Sequence, residues 1–346
     1  MTSPTITLDV ENLWRGAWSG PCRLTVRGHR VERIEPRTES DGSGVLAVPG
    51  CVFAGMRDAH VHLDLVGAHD LYAGGLSAVH DLGSALSTLS PFADRRVLDG
   101  LPEVRFAGQF LTAPGGYPSD RTWARAGSVR VVTGPGDAAA AVGEQLRAGA
   151  DFVKVMLNAD AGPTPDDATL GALVRAAHAG RRPVVAHAEG TGQAERALAA
   201  GVDRLAHTPW TERLSADLLG AMAPTVQWVS TLDIHGRGGE GAAFEVAADN
   251  LRRFHAAGGV VVYGTDQGNG PQPVGVNEGE LLALLAAGLD RSAVLESITL
   301  AWPAGPVRCR GLAWAPGLPP SDDRDWARWI ASVRNVAVEQ WEEQFG

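Results

Sequence analysis

From residue 51 onward, short apolar runs alternate with Ala- and Leu-rich stretches of helical spacing, and this rhythm limits the possible folds more than any other feature. Eight runs read as strands: 52–63, 78–83, 104–108, 152–157, 183–188, 203–207, 225–231 and 259–266. Helical patterns fall between most of them, at 137–149, 167–180, 191–200, 211–221, 243–257 and 278–288. Strands that alternate with helices over roughly 250 residues predict an α/β chain, a (β/α)8 barrel of the TIM type. A doubly wound sheet is the competing architecture. It is disfavoured because no glycine-rich phosphate fingerprint follows the first strand.

Residues 5–50 have a different texture. "ITLDV", "CRLTVRG", "HRVERIEP" and "VLAVPG" alternate apolar and polar positions between turn residues, which predicts a small β module. The tail after 303 loses the strand–helix rhythm. Its "SVRNVAVEQW" (332–341) reads either as a strand returning to that module or as a terminal helix. The expected organisation is therefore a β module from 1–51 and 305–346, completed or partly completed by the tail, around a barrel at 52–304. The Gly- and Pro-rich segment 109–135 reads as one long loop of the kind that usually carries function.

With 30 Lys plus Arg against 40 Asp plus Glu, the formal net charge is −10. No basic stripe is available to neutralise phosphates, so nucleic acid and anionic membranes are not expected partners. The N-terminus lacks a basic start followed by an apolar core, and the most apolar stretch, "LLALLAAGL" (281–289), is too short to span a bilayer. Three widely spaced cysteines, Cys22, Cys51 and Cys309, suggest free buried thiols and a cytoplasmic location. A homo-oligomer is left open.

In a barrel of this type, chemistry gathers where the strands end. Those ends hold His60 and His62 ("AHVHL"), Lys154 ("DFVKVML"), His187 ("AHAEG"), His207 ("LAHTP") and Asp266 ("GTDQG"). Two histidines one residue apart on a strand face the same side and suit a divalent metal. Lys154 stands out for another reason: it is the only lysine, in a chain whose other 29 cationic residues are arginine. A snorkelling or salt-bridged role would be open to arginine too.

The set "GMRDAHVHLDL", "DFVKVML", "VVAHAEG", "GVDRLAH" and "VVVYGTDQG" closely resembles the amidohydrolase superfamily, in particular its imidazolonepropionase-like and prolidase-like branch. The resemblance spans roughly 5–304. It implies a binuclear centre, most often zinc, with His60, His62 and Asp266 on one ion and His187 and His207 on the other. A carboxylated Lys154 would bridge them. A buried amine is pushed toward neutrality and can take up CO2, whereas a guanidinium stays protonated. Two divalent ions supply +4, against −3 from carbamate, Asp266 and a bridging hydroxide, so the centre would stay electrophilic. The family pattern implies attack by that hydroxide on a polarised carbonyl, with Asp266 as the catalytic proton shuttle.

Tyr117 in "LTAPGGYP", His80 in "VHDLG" and His235 in "TLDIHG" are candidate substrate contacts. His80 stands where related enzymes often carry arginine, which puts a carboxylate-binding role there in doubt. The segments "ITLAWPAGPVRCRGL" and "GLPPSDDRDWARWI" depart from the usual family pattern and suggest a rebuilt β module. The expected activity is hydrolysis of an amide or other C–N bond in an N-acyl amino acid, dipeptide, cyclic amide or peptide-derived natural product. Lactone, ester or phosphoester cleavage at the same centre, and a non-catalytic metal-bearing scaffold, are the alternatives. A deaminase fits less well, because Glu189 lies two residues after His187 rather than three.

Overall fold

The computed structural model describes residues 5–27, 30–37, 44–94, 100–236, 241–301, 311–337 and 340–346. Three sheets organise them. The first has six strands: β1 (Thr5–Leu13), β2 (Cys22–Arg27), β3 (Arg30–Pro36), β4 (Val45–Phe53), β15 (Leu312–Ala315) and β16 (Arg334–Val336), in the order β16-β15-β4-β1-β2-β3. The alternating sequence of β1 and β2 gives alternating burial, with Leu8, Val10, Leu24 and Val26 inside a core of their own. Two of its strands come from the C-terminal tail. The segment 332–341 thus takes part in both expected forms, as strand β16 and then, from Trp341–Phe345, a short helix. Cys22 and Cys51 are buried free thiols, and Cys309 lies outside the described residues, as do most of the departing segment 298–312 and the expected 304/305 boundary.

The other two sheets carry the α/β part. One has three strands, β5 (Met56–Val61), β6 (Leu76–Asp81) and β7 (Glu103–Phe106). The other has seven: β8 (Phe110–Thr112), β9 (Val129–Val131), β10 (Val153–Asn158), β11 (Val184–Glu189), β12 (Arg204–Leu205), β13 (Gln227–Val229) and β14 (Val261–Val262). Its order is β14-β13-β12-β11-β10-β8-β9, and every pair is parallel. Hydrogen bonds join the two sheets at both ends. Ala59 N–H donates to Tyr263 O (3.0 Å) and His62 N–H to Gln267 O (2.9 Å), while Asp151 N–H donates to Phe106 O (2.7 Å).

Each of the eight expected strands is represented, with three corrections. The expected strand 52–63 is broken: Val52 and Phe53 belong to β4, and the chain turns at Gly55 before β5 begins. A side chain could not replace Gly55 easily, because its φ is +151° and a Cβ would lie 2.8 Å from Ser77 Oγ. The expected loop 109–135 contains β8 and β9, so strand three continues through residues 107–109 to a second pairing. Four helices, Ala68–Ala73, Leu86–Leu89, Arg291–Ile298 and Asp323–Ala331, lie where no helix was expected.

The helices pack one face on the sheets. In Ala242–Ala256, the buried residues Phe244, Ala247, Leu251 and Phe254 recur at helical spacing, and Phe254 stacks on Trp228 of β13 with ring centroids 3.9 Å apart. Asp166, Ser215, Asn277, Asp290 and Asp322 cap helix N-termini by accepting backbone N–H bonds. No helix among the described residues is long and apolar enough to cross a membrane.

Candidate metal centre

All six expected ligands are buried: His60 and His187 lie in the carboxyl halves of β5 and β11, His62, His207 and Asp266 lie beyond the ends of β5, β12 and β14, and Lys154 is the second residue of β10. Possible ligand atoms of His60, His207 and Asp266 lie within 4.8 Å of one another. Asp266 Oδ1 is 2.9 Å from His62 Nε2 and 3.2 Å from His60 Nε2. The ring of His207 packs between those of His60 (4.7 Å) and His187 (4.8 Å). His207 thus neighbours both His187 and the His60 and Asp266 side.

Second contacts fix how the rings are presented. His60 Nδ1 donates to Ala206 O and His62 Nδ1 to Gly83 O, each at 2.8 Å, which leaves both Nε2 atoms facing Asp266. His207 Nδ1 is 3.0 Å from Thr231 Oγ1. His187 differs, because its Nε2 is the engaged nitrogen, 2.9 Å from Glu189 Oε2. Asn158 Nδ2 in turn donates to that same oxygen at 2.6 Å. His60 Nε2 and Asp266 Oδ1 are both buried without a satisfied hydrogen bond, as expected of atoms that await a cation.

Lys154 is 1% exposed, and its side-chain amine makes no hydrogen bond or ion pair to a described residue. Burial brings its amine down to about 7, against a partial pull upward from Asp266 and Asp81. Burial also holds His60, His187 and His207 below the usual imidazole value, so these rings stay neutral and able to ligate. For Asp266 burial acts upward, yet His60, His62 and His207 outweigh it and keep the carboxylate ionised. His62 runs the other way from those three rings, since burial lowers it but the hydrogen bond and charge of Asp266 hold it above the usual value. The donor set is buried nitrogen and oxygen, and it fits a divalent metal.

Asp266 has a left-handed backbone (φ +58°), rare for a residue with a side chain. Its neighbours are pinned by Asp58, which accepts Thr265 Oγ1–H at 2.5 Å and His60 N–H at 2.9 Å. Gly264 lets the strands approach closely, because a Cβ there would sit 2.3 Å from Val229.

No protein-family model matches the chain, and no curated protein matches it. Solved structures do match. An Xaa-Pro dipeptidase with bound methionine has a TM-score of 0.76 at 17% identity, over 94% of this chain and 97% of its own. A. niger ochratoxinase has a TM-score of 0.78 at 14% identity, over 100% and 99%. An amidohydrolase has a TM-score of 0.72 at 17% identity, over 91% and 92%. The chain shares the fold of these solved structures.

Within this fold, the three candidate substrate contacts separate. Tyr117 packs on His187 with centroids 5.4 Å apart, and His235 reaches the cluster through Trp210, 4.5 Å from its ring. His80 is placed elsewhere, against Phe152 (4.9 Å) and Arg204. Trp210 lies 5.5 Å from His207, and Trp123 lies 6.4 Å from His62. These two aromatics were not expected from sequence, nor were Asp58, Asn158 and the role of Glu189. Buried Asn250 holds the Trp210 loop by bonding Leu214 N, Pro209 O and Glu212 O. Of these, only Glu189 left a usable signal: two residues after His187 on one strand, it faces the same way.

Proposed function

We propose that this protein is a binuclear metal-dependent hydrolase that cleaves an amide or other C–N bond in a small-molecule or short-peptide substrate. The observation that carries the proposal is the buried gathering of His60, His207 and Asp266 at the strand ends, with Lys154 beside them as a partner-free buried amine. The names of the matched structures, a dipeptidase and an amidohydrolase among them, favour the C–N bond over an ester or phosphoester.

In this proposal His60, His62, His187, His207, Asp266 and a carboxylated Lys154 hold two divalent ions, with zinc the natural choice for a nitrogen and oxygen set. When bound, such ions polarise a carbonyl and acidify water. The chain's own residues do the rest. The neutral Lys154 amine adds to CO2 and releases one proton, giving a carbamate with two ligand oxygens. Asp266, ionised in its buried site, takes a proton from water and returns it to the leaving nitrogen. Tyr117 is held protonated by burial, so its hydroxyl can donate to the substrate. His235 and Trp210 line the opposite wall.

We also propose that β5, β6, β7 continued by β8, and β10–β14 form a closed eight-stranded barrel spanning 52–304, with 1–51 and 305–346 as the β module. The hydrogen bonds from Ala59 to Tyr263 and from Asp151 to Phe106 support closure. The test is metal analysis of the purified protein together with a panel of Xaa-Pro dipeptides, N-acyl amino acids, cyclic amides, lactones and phosphoesters. Two ions per chain and turnover of an amide are expected. Turnover of lactones alone would reassign the bond, and a metal-free protein would sink the proposal.

A further inference from the structure

Arg57 and Arg204 lie at the starts of β5 and β12, and Arg105 of β7 is the register partner of His80, whose ring nitrogen Arg204 meets. Two of them have no counter-ion: no carboxylate among the described residues lies within ion-pair distance of Arg57 or Arg204. Arg204 is spent on neutral partners. Its Nη2 and Nε donate to Gln227 Oε1 at 2.6 and 3.1 Å, its Nη1 is 3.3 Å from His80 Nδ1, and its guanidinium lies over the Phe152 ring. Arg57 is poorer still. It makes one long bond, Nη2 to Ser297 O at 3.5 Å, and its Nε is buried with no acceptor at all. Arg105 has an exposed Glu103 at 3.2 Å.

The three cations also face one another. Burial depresses Arg57, and Arg105 depresses it further. Arg204 is lowered by burial and then by Arg57, against a partial pull upward from Asp203 beyond ion-pair distance, and His80 by burial and then by Arg204, Arg57 and Arg105. A guanidinium does not escape by losing its proton, so unpaired half-buried arginines are a cost unless an anion joins them. Each guanidinium offers a planar fork of donors that matches an oxyanion. The two half-buried arginines remain partly open to solvent, so the ligand can enter from outside.

We infer that this arginine cluster is an anion-binding site, in which Arg57, Arg204 and Arg105 together hold a small oxyanion of the phosphate or sulfate type. Gln227 and His80 hold Arg204 in place for it. The anion supports the fold.

The test compares thermal unfolding of the metal-loaded protein in phosphate and in chloride at matched ionic strength. Arg57→Gln, Arg204→Gln and Arg105→Gln are measured beside it. Phosphate can also reach the metal centre, so the readout is the difference between the wild type and the variants, all with the same metal content. We expect a saturable rise of roughly 5 °C in the wild type near a hundredfold excess over the dissociation constant. That rise should shrink by more than half in Arg57→Gln and Arg204→Gln, and less in Arg105→Gln. In chloride alone the first two variants should melt no lower than the wild type, because each removes an uncompensated cation. Should either fail to fold, Arg105→Gln at the exposed rim still decides, since a weakened phosphate response is required of it. An equal phosphate response in the wild type and all folded variants, or no response beyond chloride, would overturn the site.

Discussion

A single residue type carries much of the chemistry. Arginine serves 29 of 30 cationic positions, and the exception is the fully buried Lys154. Only an amine can become neutral and then a carbamate, so Lys154→Arg preserves charge and size while removing that option. Both Lys154→Arg and Lys154→Ala should lose bound metal, and activity should fall by more than about 100-fold. Elemental analysis with a rate measurement checks this, and a Lys154→Ala protein that kept both ions and full turnover would exclude the bridging role. The neighbour of His187 gives a second prediction. Glu189 Oε2 faces His187 Nε2 and is itself held by Asn158. Glu189→Gln should therefore weaken metal binding about 10- to 100-fold without unfolding the chain. Competition with a chelator reads the affinity directly, and an unchanged value would make Glu189 a pocket residue only.

At the level of strands and helices, the sequence exposes some parts of the site and hides others for physical reasons. The candidate ligands were legible because ligation demands a few residue types, and the barrel rhythm says where strands end. Their supports were not legible. Asp58 meets Thr265 across 207 residues, and Asn250 meets Leu214 across 36, so neither pairing leaves a local pattern. The broken first strand was hidden too, because "VFAGMRDAHVHL" is apolar on both sides of Gly55 and periodicity alone shows no break. Helix Glu278–Ala286 provides a prediction at this scale. Glu280 sits in its first turn, fully buried, with Oε2 accepting Asp233 N–H at 2.8 Å and Oε1 unpartnered. Burial raises its carboxyl to about 7 from an ordinary 4.5. Between those values the folded chain holds a proton that the unfolded chain has released. Stability contributed by this group is therefore full below about pH 4.5, falls as pH rises, and is gone above about 7. Glu280→Gln stays neutral throughout, so relative to the wild type it should gain up to about 3 kcal/mol between pH 5 and pH 8. Urea midpoints at the two pH values measure that difference, and parallel wild-type and variant profiles would show that Glu280 is already ionised in the fold.

Across the whole molecule, the β module and the candidate metal centre share one stretch of chain. Strand β4 pairs with β1 on one side and with β15 of the tail on the other, and two residues later the chain enters β5, which carries His60. The tail seals this junction with buried tryptophans. Trp329 lies 6.2 Å from Phe53 and 6.3 Å from Trp18, and its Nε1 donates to Pro316 O at 2.7 Å. Phe53 is in turn part of the large core that includes Met56 and Val61 of β5. Removing 312–346 would strip β15 from β4 and leave an unpaired edge beside a bared apolar surface, so this truncation should aggregate. A single substitution tests the coupling without that ambiguity. Trp329→Ala leaves every strand in place and opens a cavity against Phe53, at a cost of about 3–5 kcal/mol. Because the strain falls at the root of β5, metal affinity should fall together with the melting temperature. Trp228→Ala supplies the control, since it costs a similar amount in the stack with Phe254 on β13. If Trp329→Ala loses stability yet binds metal no more weakly than Trp228→Ala, the junction serves folding alone and the module does not hold the site.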